Sequence, residues 1–503
     1  MEPKTPNRTS GLFRNPVTLL GAAVALVSLS GILFLLLADI LGVRAKPYFG
    51  IFAYILFPAI LLLGLLVIPA GMLVERWRRR RRAPGEIPAL PRIDLNLPSH
   101  RWAFLLFIGF TAFFLILSGV GSYQAYQFTD SVTFCGQVCH SVMKPEYTAY
   151  QASPHARVPC ADCHVGPGAT WFVRSKLSGS YQLYAVAFNR YPRPIPSPIK
   201  SLRPAQETCE QCHWPEKFWG ERFKVITHFG YDEQNTSRQV RMLIKTGGGS
   251  PTTGFTSGIH WHMNIMNEIW YIATDFHRQE IPWVRVKDMQ GRVTEYMTTG
   301  AGLTPEQIEK AEKRRMDCID CHNRPSHIFL SPDQAVDQAL LTARIDPSLP
   351  FIKRQAVEVL SKLYPSTESA REGIATDLDH FYLTRDPALY SQKKGAIKAS
   401  IAEVQRIYET NFFPEMKVDW RVHSNNIGHF YYRGCFRCHD GQHVSHEGKV
   451  IQKDCEICHV ILGQEEGGRP VTELKGRGFR HPVEIGDLRD VTCSDCHTGG
   501  PAL

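Results

Sequence analysis

The stretch WAFLLFIGFTAFFLILSGVGSYQAYQFTDSVTFCGQVCH, residues 102–140, joins two unlike halves of the chain. Residues 102–129 carry no charge, and a helix of roughly 20 apolar residues crosses a hydrocarbon core about 30 Å thick. The stretch ends in a cysteine pair followed at once by histidine, CGQVCH (135–140). Upstream of it there are further apolar runs and no cysteine. Downstream there are cysteine pairs and no comparable apolar run.

Two more uncharged runs, 17–38 and 47–74, precede it. The first resembles a signal peptide with a small residue at Ala45, but its apolar core exceeds the roughly 7–15 residues such signals use. Three membrane helices are therefore expected. Of the net charge of +9, residues 1–101 hold 13 Lys+Arg against 5 Asp+Glu, a net of +8, so the remainder holds +1. Nearly all the excess lies beside membrane helices, above all at Arg76 and Arg78–Arg82. Basic residues at helix ends stay in the cytoplasm. That places the N-terminus and the 75–101 loop inside, and residues after 125 on the far side. The basic run is a topological anchor and implies no nucleic-acid partner.

All 14 cysteines fall into seven pairs. Six are C-x-x-C-H: Cys160/Cys163, Cys209/Cys212, Cys318/Cys321, Cys435/Cys438, Cys455/Cys458 and Cys493/Cys496. The seventh, Cys135/Cys139, has one extra residue between its cysteines. Zinc sites, redox dithiols and disulfide frameworks also use paired cysteines, and the histidine decides among them. With 20 histidines in 503 residues, chance places one after all seven pairs at odds on the order of 1 in 10¹⁰. Two thioethers fix one edge of a macrocycle, and the next residue lies beneath the iron. The chain therefore predicts seven covalently bound haem c groups, with proximal ligands His140, His164, His213, His322, His439, His459 and His497. Haem c is attached outside the cytoplasm, which agrees with the charge-based topology and points to the periplasm.

His100 lies on the cytoplasmic side, leaving twelve histidines as possible distal ligands, His481 among them. Those near a motif are the first candidates: His155 before CADCH, His327 after CIDCH, His429 before CFRCH, and His443 or His446 after it. His260 and His262, in GIHWHMN, are expected to share one face of a strand.

The expected class is mainly α: three membrane helices, then a multihaem domain with little regular structure and a small β-containing insert. Residues 1–100 form a membrane hairpin with a basic cytoplasmic loop, and 101–130 the third membrane helix. A four-haem module spans 131–330, interrupted by an insert at 214–317. The insert shows strand-like alternation in QVRMLIK, EIWYIATD and WVRVKD, with a turn at GGGS (247–250). Thr304, Pro305 and Gln307 suit a helix start, as do Ser331, Pro332 and Gln334. A helical segment covers 331–434 and a three-haem module 435–503.

From the third membrane helix to about residue 330 the chain resembles the NapC/NirT family of membrane-anchored tetrahaem quinol dehydrogenases. The matching features are the single membrane helix, the first haem motif with Met143 nearby, EY (146–147), SPHARVPCADCHVGPG (153–168) and CIDCHNRPSH (318–327). The added hairpin, insert and three-haem extension resemble the large inner-membrane heptahaem cytochromes of metal-respiring bacteria. The resemblance implies that the first haem sits by the membrane beside a quinol pocket, with Met143 in place of His140 on its iron. It implies that Lys176 lines the pocket and that His327 ligates the second haem. The family's acidic partner to that lysine is missing, since no Asp or Glu occurs between Asp162 and Glu207. Gln182 is then a candidate for proton acceptance.

The implied activity is oxidation of a membrane quinol, menaquinol or ubiquinol, at the outer surface of a bacterial inner membrane. A periplasmic cytochrome or reductase would take the electrons. The alternatives are an electron-conducting subunit of a larger respiratory complex without its own quinol site, and a terminal multihaem reductase. The usual mark of the last, lysine replacing a motif histidine, is absent.

Overall fold

The computed structural model describes residues 15–40, 52, 56–82, 94–166, 168–199, 202–214, 218, 220–247, 258–263, 267–288, 290–300, 302–466, 469–486 and 491–501. The chain divides into two compact units, Met1–Met143 with Pro159–Ala161, and Lys144–Val158 with Asp162–Leu503.

In the first unit, helices α1 (Pro16–Ile40), α2 (Phe57–Arg82) and α3 (Pro98–Asp130) each contain a span long and apolar enough to cross a membrane. Most of the expected second run before residue 56 lies outside the described residues. Small residues bring α1 and α2 together. A Cβ on Gly64 would come within 2.8 Å of the Ala25 nitrogen, and one on Gly21 within 2.9 Å of the Gly64 carbonyl. Lipid offers no hydrophobic drive between helices, so close backbone approach and buried hydrogen bonds hold them. Asn15 Nδ2 supplies such bonds, donating to Thr18 Oγ1 at 2.7 Å and to the Gly71 carbonyl at 3.3 Å.

The second unit contains most of α4 (His140–Gln151) and all of α5 (Ala169–Ala187). Two antiparallel sheets follow. One runs in the order β1 (Arg222–Phe229), β2 (Ser237–Ile244), β8 (His459–Glu466), β9 (Arg469–Arg477). The other runs β6 (Arg314–Arg315), β3 (Glu268–Ile272), β4 (Trp283–Lys287), β5 (Val293–Thr298), β7 (His443–Ser445). Strands of the insert and strands beyond residue 435 therefore share both sheets. The three alternating segments of the insert lie in β2, β3 and β4; the GGGS turn falls mostly outside the described residues.

Between the sheet strands lie α6 (Pro332–Leu341), α7 (Ile352–Ser361), α8 (Thr367–Arg385) and α9 (Pro387–Asn411). Their starts follow the sequence signals. Ser331 accepts from the Gln334 N–H, and Thr304 and Gln307 close a reciprocal capping box on a short helix. Val336, Ala339, Ala356, Val357, Ile374, Leu378 and Val404 interlock in a fully buried core. Beside it Lys353, with no exposed surface, pairs at 2.6 Å with both Asp333 and Asp337. His228 Nδ1 reaches Asp337 at 3.0 Å, so His228, Asp333 and Asp337 converge around a cation the chain itself provides.

Candidate functional site

The attachment motifs fold locally, because their geometry fits one turn. The histidine N–H closes on the first cysteine's carbonyl in four of them: His213 to Cys209 at 2.8 Å, His322 to Cys318 at 2.8 Å, His439 to Cys435 at 3.0 Å and His497 to Cys493 at 2.8 Å. The Asp before the second cysteine reinforces two of these turns, Asp320 bonding the Asp317 N–H and Asp495 the Thr492 N–H. The odd pair has its own solution. Residues Thr133–Val138 form a π-helical turn, whose i→i+5 bonding accommodates an additional residue. The extra residue between Cys135 and Cys139 is thus absorbed by the backbone.

The cysteines expected to bind a cofactor are not all enclosed by protein. Cys163, Cys212, Cys455 and Cys496 are exposed, and the other ten are half-buried. In the pairs Cys160/Cys163, Cys209/Cys212 and Cys493/Cys496 the first cysteine faces inward and the second lies at the outer edge. A thioether needs only its sulfur at the macrocycle edge, so exposure at Cys163, Cys212 and Cys496 is compatible with attachment.

Six motif histidines each face a second histidine. The ring centres lie 6.3 Å apart in His164–His327, 6.0 Å in His155–His213 and 6.4 Å in His260–His322. They lie 5.8 Å apart in His262–His439, 6.0 Å in His429–His459 and 6.1 Å in His481–His497. A metal with an imidazole nitrogen about 2.0 Å away on each side, each nitrogen about 1.1 Å from its ring centre, sets those centres about 6 Å apart. Direct ring packing gives no reason for this one spacing to recur at varied ring tilts. With two cysteine thiols in the turn beside each pair, the donor set fits a c-type haem iron.

The outer ring nitrogens support the same orientation. Nδ1 of His327 meets the Glu146 carbonyl at 3.0 Å, that of His155 the Pro325 carbonyl at 3.3 Å, and that of His260 the Thr246 carbonyl at 2.9 Å. Nδ1 of His262, His481 and His439 meets the carbonyls of Ile259, Val483 and Gln452 at 2.8, 2.8 and 2.9 Å. A carbonyl on Nδ1 fixes the proton there and leaves Nε2 as the metal-binding lone pair. Burial, followed by the charge of Arg324, pushes His327 down to about 4. Burial also lowers His164, His260, His262, His322, His429, His459 and His497, keeping these imidazoles neutral at pH 7.

Proximity in sequence is a poor guide to these partners. His155 precedes CADCH but faces the histidine of CEQCH, and His429 precedes CFRCH but faces that of CEICH. His327 faces His164, as the resemblance implies. His260 and His262 do not lie on a strand: Ile259–Met263 is a 3₁₀ turn. At three residues per turn the two side chains point about 120° apart, so they serve different partners. His481 carries no sequence cue beyond being a histidine outside the motifs.

His443 is buried in β7. Its Nε2 meets the Ile281 carbonyl at 2.7 Å and its Nδ1 meets Asp440 at 2.9 Å. Both nitrogens are thereby committed to hydrogen bonds. His446 is exposed in the turn after β7.

The motifs also approach one another. The Cys135 side chain lies beside Cys160, and the Cys318 side chain beside Cys209. Cys321 lies within electrostatic reach of Cys435, Cys458 of Cys435, and Cys493 of Cys455. In the second unit, motifs adjacent in the sequence are thus neighbours in space from the third to the seventh.

The expected quinol-site residues occupy separate settings. Met143 is half-buried in the first turn of α4, its N–H on the Cys139 carbonyl at 2.9 Å; the His140 side chain lies outside the described residues. Lys176, half-buried, and Gln182, exposed, lie six residues apart on α5 and so about 120° apart around the helix. Gln182 Nε2 donates to Ser178 Oγ at 3.3 Å. Val173, Leu177, Tyr181, Tyr184 and Phe188 form an exposed apolar stripe along α5 and its cap, with Arg174 and Lys176 on its flanks.

Residues 97–194 match the N-terminal region of the NapC/NirT cytochrome c family. The chain is 46% identical over 494 residues, 98% of its own length and 97% of the relative's, to the cytochrome c-type protein ImcH of Geobacter sulfurreducens. No solved structure matches it. Membrane-spanning helices, covalent haem c motifs and this extent of identity lead to one conclusion: the chain belongs to the NapC/NirT family of membrane-anchored, electron-carrying c-type cytochromes.

Proposed function

We propose that the chain is an inner-membrane quinol dehydrogenase holding seven haem c groups on the periplasmic side. It takes electrons from menaquinol or ubiquinol and delivers them to a periplasmic cytochrome or reductase. The observation that carries this reading is the set of six opposed histidine pairs, each joining a motif histidine to a second one. Two imidazoles leave no open position for a small-molecule substrate, which favours electron transfer over terminal reduction.

Bound haem c supplies reversible one-electron chemistry at iron. The rest falls to the residues of the chain. The motif cysteines would hold each group by thioethers, and the paired histidines would ligate its iron. Backbone carbonyls on Nδ1 keep five of the imidazoles oriented. At Cys135/Cys139 the ligand would be Met143 or His140, and a thioether there would favour a higher potential than a second imidazole. From the third motif to the seventh, neighbouring turns offer a relay in sequence order.

Quinol oxidation releases two electrons and two protons per molecule. The apolar stripe of α5 suits a ligand arriving from lipid, and Lys176 on its flank suits a quinol oxygen, with Gln182 as a weaker proton-handling candidate. The test is reduction of the purified protein by a menaquinol analogue, lost in Lys176→Ala. If the analogue leaves every haem oxidised while a partner subunit reduces them, the chain conducts electrons without a quinol site of its own.

A further inference from the structure

Two buried donors near His327 have no use in the scheme above. Arg324 is 7% exposed and His423 is 6% exposed. Arg324 Nη2 and His423 Nε2 are buried and without a hydrogen-bond partner, as is Glu146 Oε2. The three groups form one cluster. The Arg324 guanidinium lies 5.0 Å from the Phe329 ring centre, and Phe329 lies 5.9 Å from His423. Arg324 is within electrostatic reach of both Glu146 and His423.

The rest of the guanidinium is fastened to a proposed iron ligand. Arg324 Nε donates to the His327 carbonyl at 2.7 Å, and Nη1 approaches Ser197 Oγ at 3.5 Å. His327 Nδ1 in turn meets the Glu146 carbonyl at 3.0 Å. Tyr432 also lies near Arg324, but its hydroxyl is committed to the Trp420 carbonyl at 2.7 Å. A buried cation with an idle N–H is costly unless an anion completes it, and guanidinium prefers a carboxylate. Glu146 does not close on it, since its own Oε2 is also unmatched. A second carboxylate, entering between Arg324 and His423, satisfies both donors. The group expected between His164 and His327 carries propionate carboxylates on its edge.

We propose that Arg324 Nη2 and His423 Nε2 form a carboxylate site that holds a propionate of the haem carried between His164 and His327. The inference rests on the histidine pairing proposed above. It makes Arg324 a positioning and potential-setting residue: adding an electron lowers the charge of the centre by one, and a fixed guanidinium favours that reduced state.

The experiment is a potentiometric titration of the full-length protein, with individual haems followed by magnetic circular dichroism. Resonance Raman spectra of the propionate bending modes accompany it. Arg324→Gln is expected to keep the full haem content, lower the reduction equilibrium of one bis-histidine haem at least tenfold, about 59 mV for one electron, and shift one propionate mode. Arg324→Lys retains most of the equilibrium, and His423→Phe moves the same haem by less. Unchanged potentials and Raman modes in Arg324→Gln at full haem content overturn the proposal. Should that variant fail to assemble, His423→Phe decides on the same two readouts. His327→Ala separates the two levels of the argument. If it leaves every haem low-spin, the histidine pairing itself is wrong. If it creates a high-spin haem while the Arg324 and His423 variants move nothing, only the carboxylate site is lost.

Discussion

The helical segment 332–420 and the segment that follows it solve the same folding problem in opposite ways. In the first, α6–α9 bury a continuous apolar core, with Val336, Ala356, Ile374, Leu378 and Val404 wholly inaccessible. In the second, from 421 to 501, Ile461 is the one buried apolar residue among those described, although the segment carries three haem motifs. A chain of that length cannot offset the entropy of folding without buried apolar surface. The difference is that one segment has no cysteines and makes its own interior. The other carries the pairs Cys435/Cys438, Cys455/Cys458 and Cys493/Cys496, where the haem groups proposed above would supply that apolar surface.

The largest test of that contrast removes an attachment. Replacing Cys455 and Cys458 by serine should cost one haem per chain by pyridine haemochrome assay. It should also make the 435–497 segment cleavable by protease, while 332–420 resists. Equal sensitivity of both segments breaks the comparison.

The next acts on the self-sufficient segment. Lys353→Ala strands the carboxylates of Asp333 and Asp337 in a buried site, a change that costs about 3–5 kcal/mol when one partner of a buried pair is removed. Thermal melting followed by far-UV circular dichroism should fall accordingly, with haem content unaffected. A smaller global effect comes from His481→Ala. One low-spin haem should turn high-spin in absorption and electron paramagnetic resonance, with the helical melt unmoved. A spectrum identical to wild type would remove His481 as a ligand.

The smallest concerns the strand that links the two sheet-bearing segments. Burial opposes protonation of His443, but its hydrogen bonds to Asp440 and the Ile281 carbonyl outweigh burial and raise it above the ordinary 6.5. The folded state therefore binds this proton more tightly than the unfolded one. Its stabilisation is complete below 6.5 and is lost as pH rises through the higher folded value. Amide exchange at β7, corrected for intrinsic rates, should quicken over that window, and His443→Gln should abolish the pH dependence.

How much was legible follows from the range of each interaction. Membrane spans need only a run of apolar residues, and haem attachment needs only a cysteine pair and histidine within one turn. Both are local, so they read directly from the sequence, as do the caps at Thr304 and Ser331. Even the odd spacing of Cys135 and Cys139 has a local answer, a π-helical turn, though nothing in the residue string names it. Which cysteine of a pair faces outward, as Cys163, Cys212 and Cys496 do, depends on how each turn sits on the domain. The second histidine at each centre is likewise a matter of tertiary contact. His155 meets His213, His327 meets His164, and neighbours two residues apart, His260 and His262, separate toward His322 and His439.

The sequence by itself therefore determined the membrane anchors, the haem motifs and the family. Tertiary structure alone decided which histidines oppose each other, which merely hydrogen-bond, as His443 does, and which buried donors stand idle beside His327. The physical reason is that a covalent motif is closed by a single backbone turn. An opposed pair is closed only when residues far apart in the chain are brought to one distance by everything folded between them.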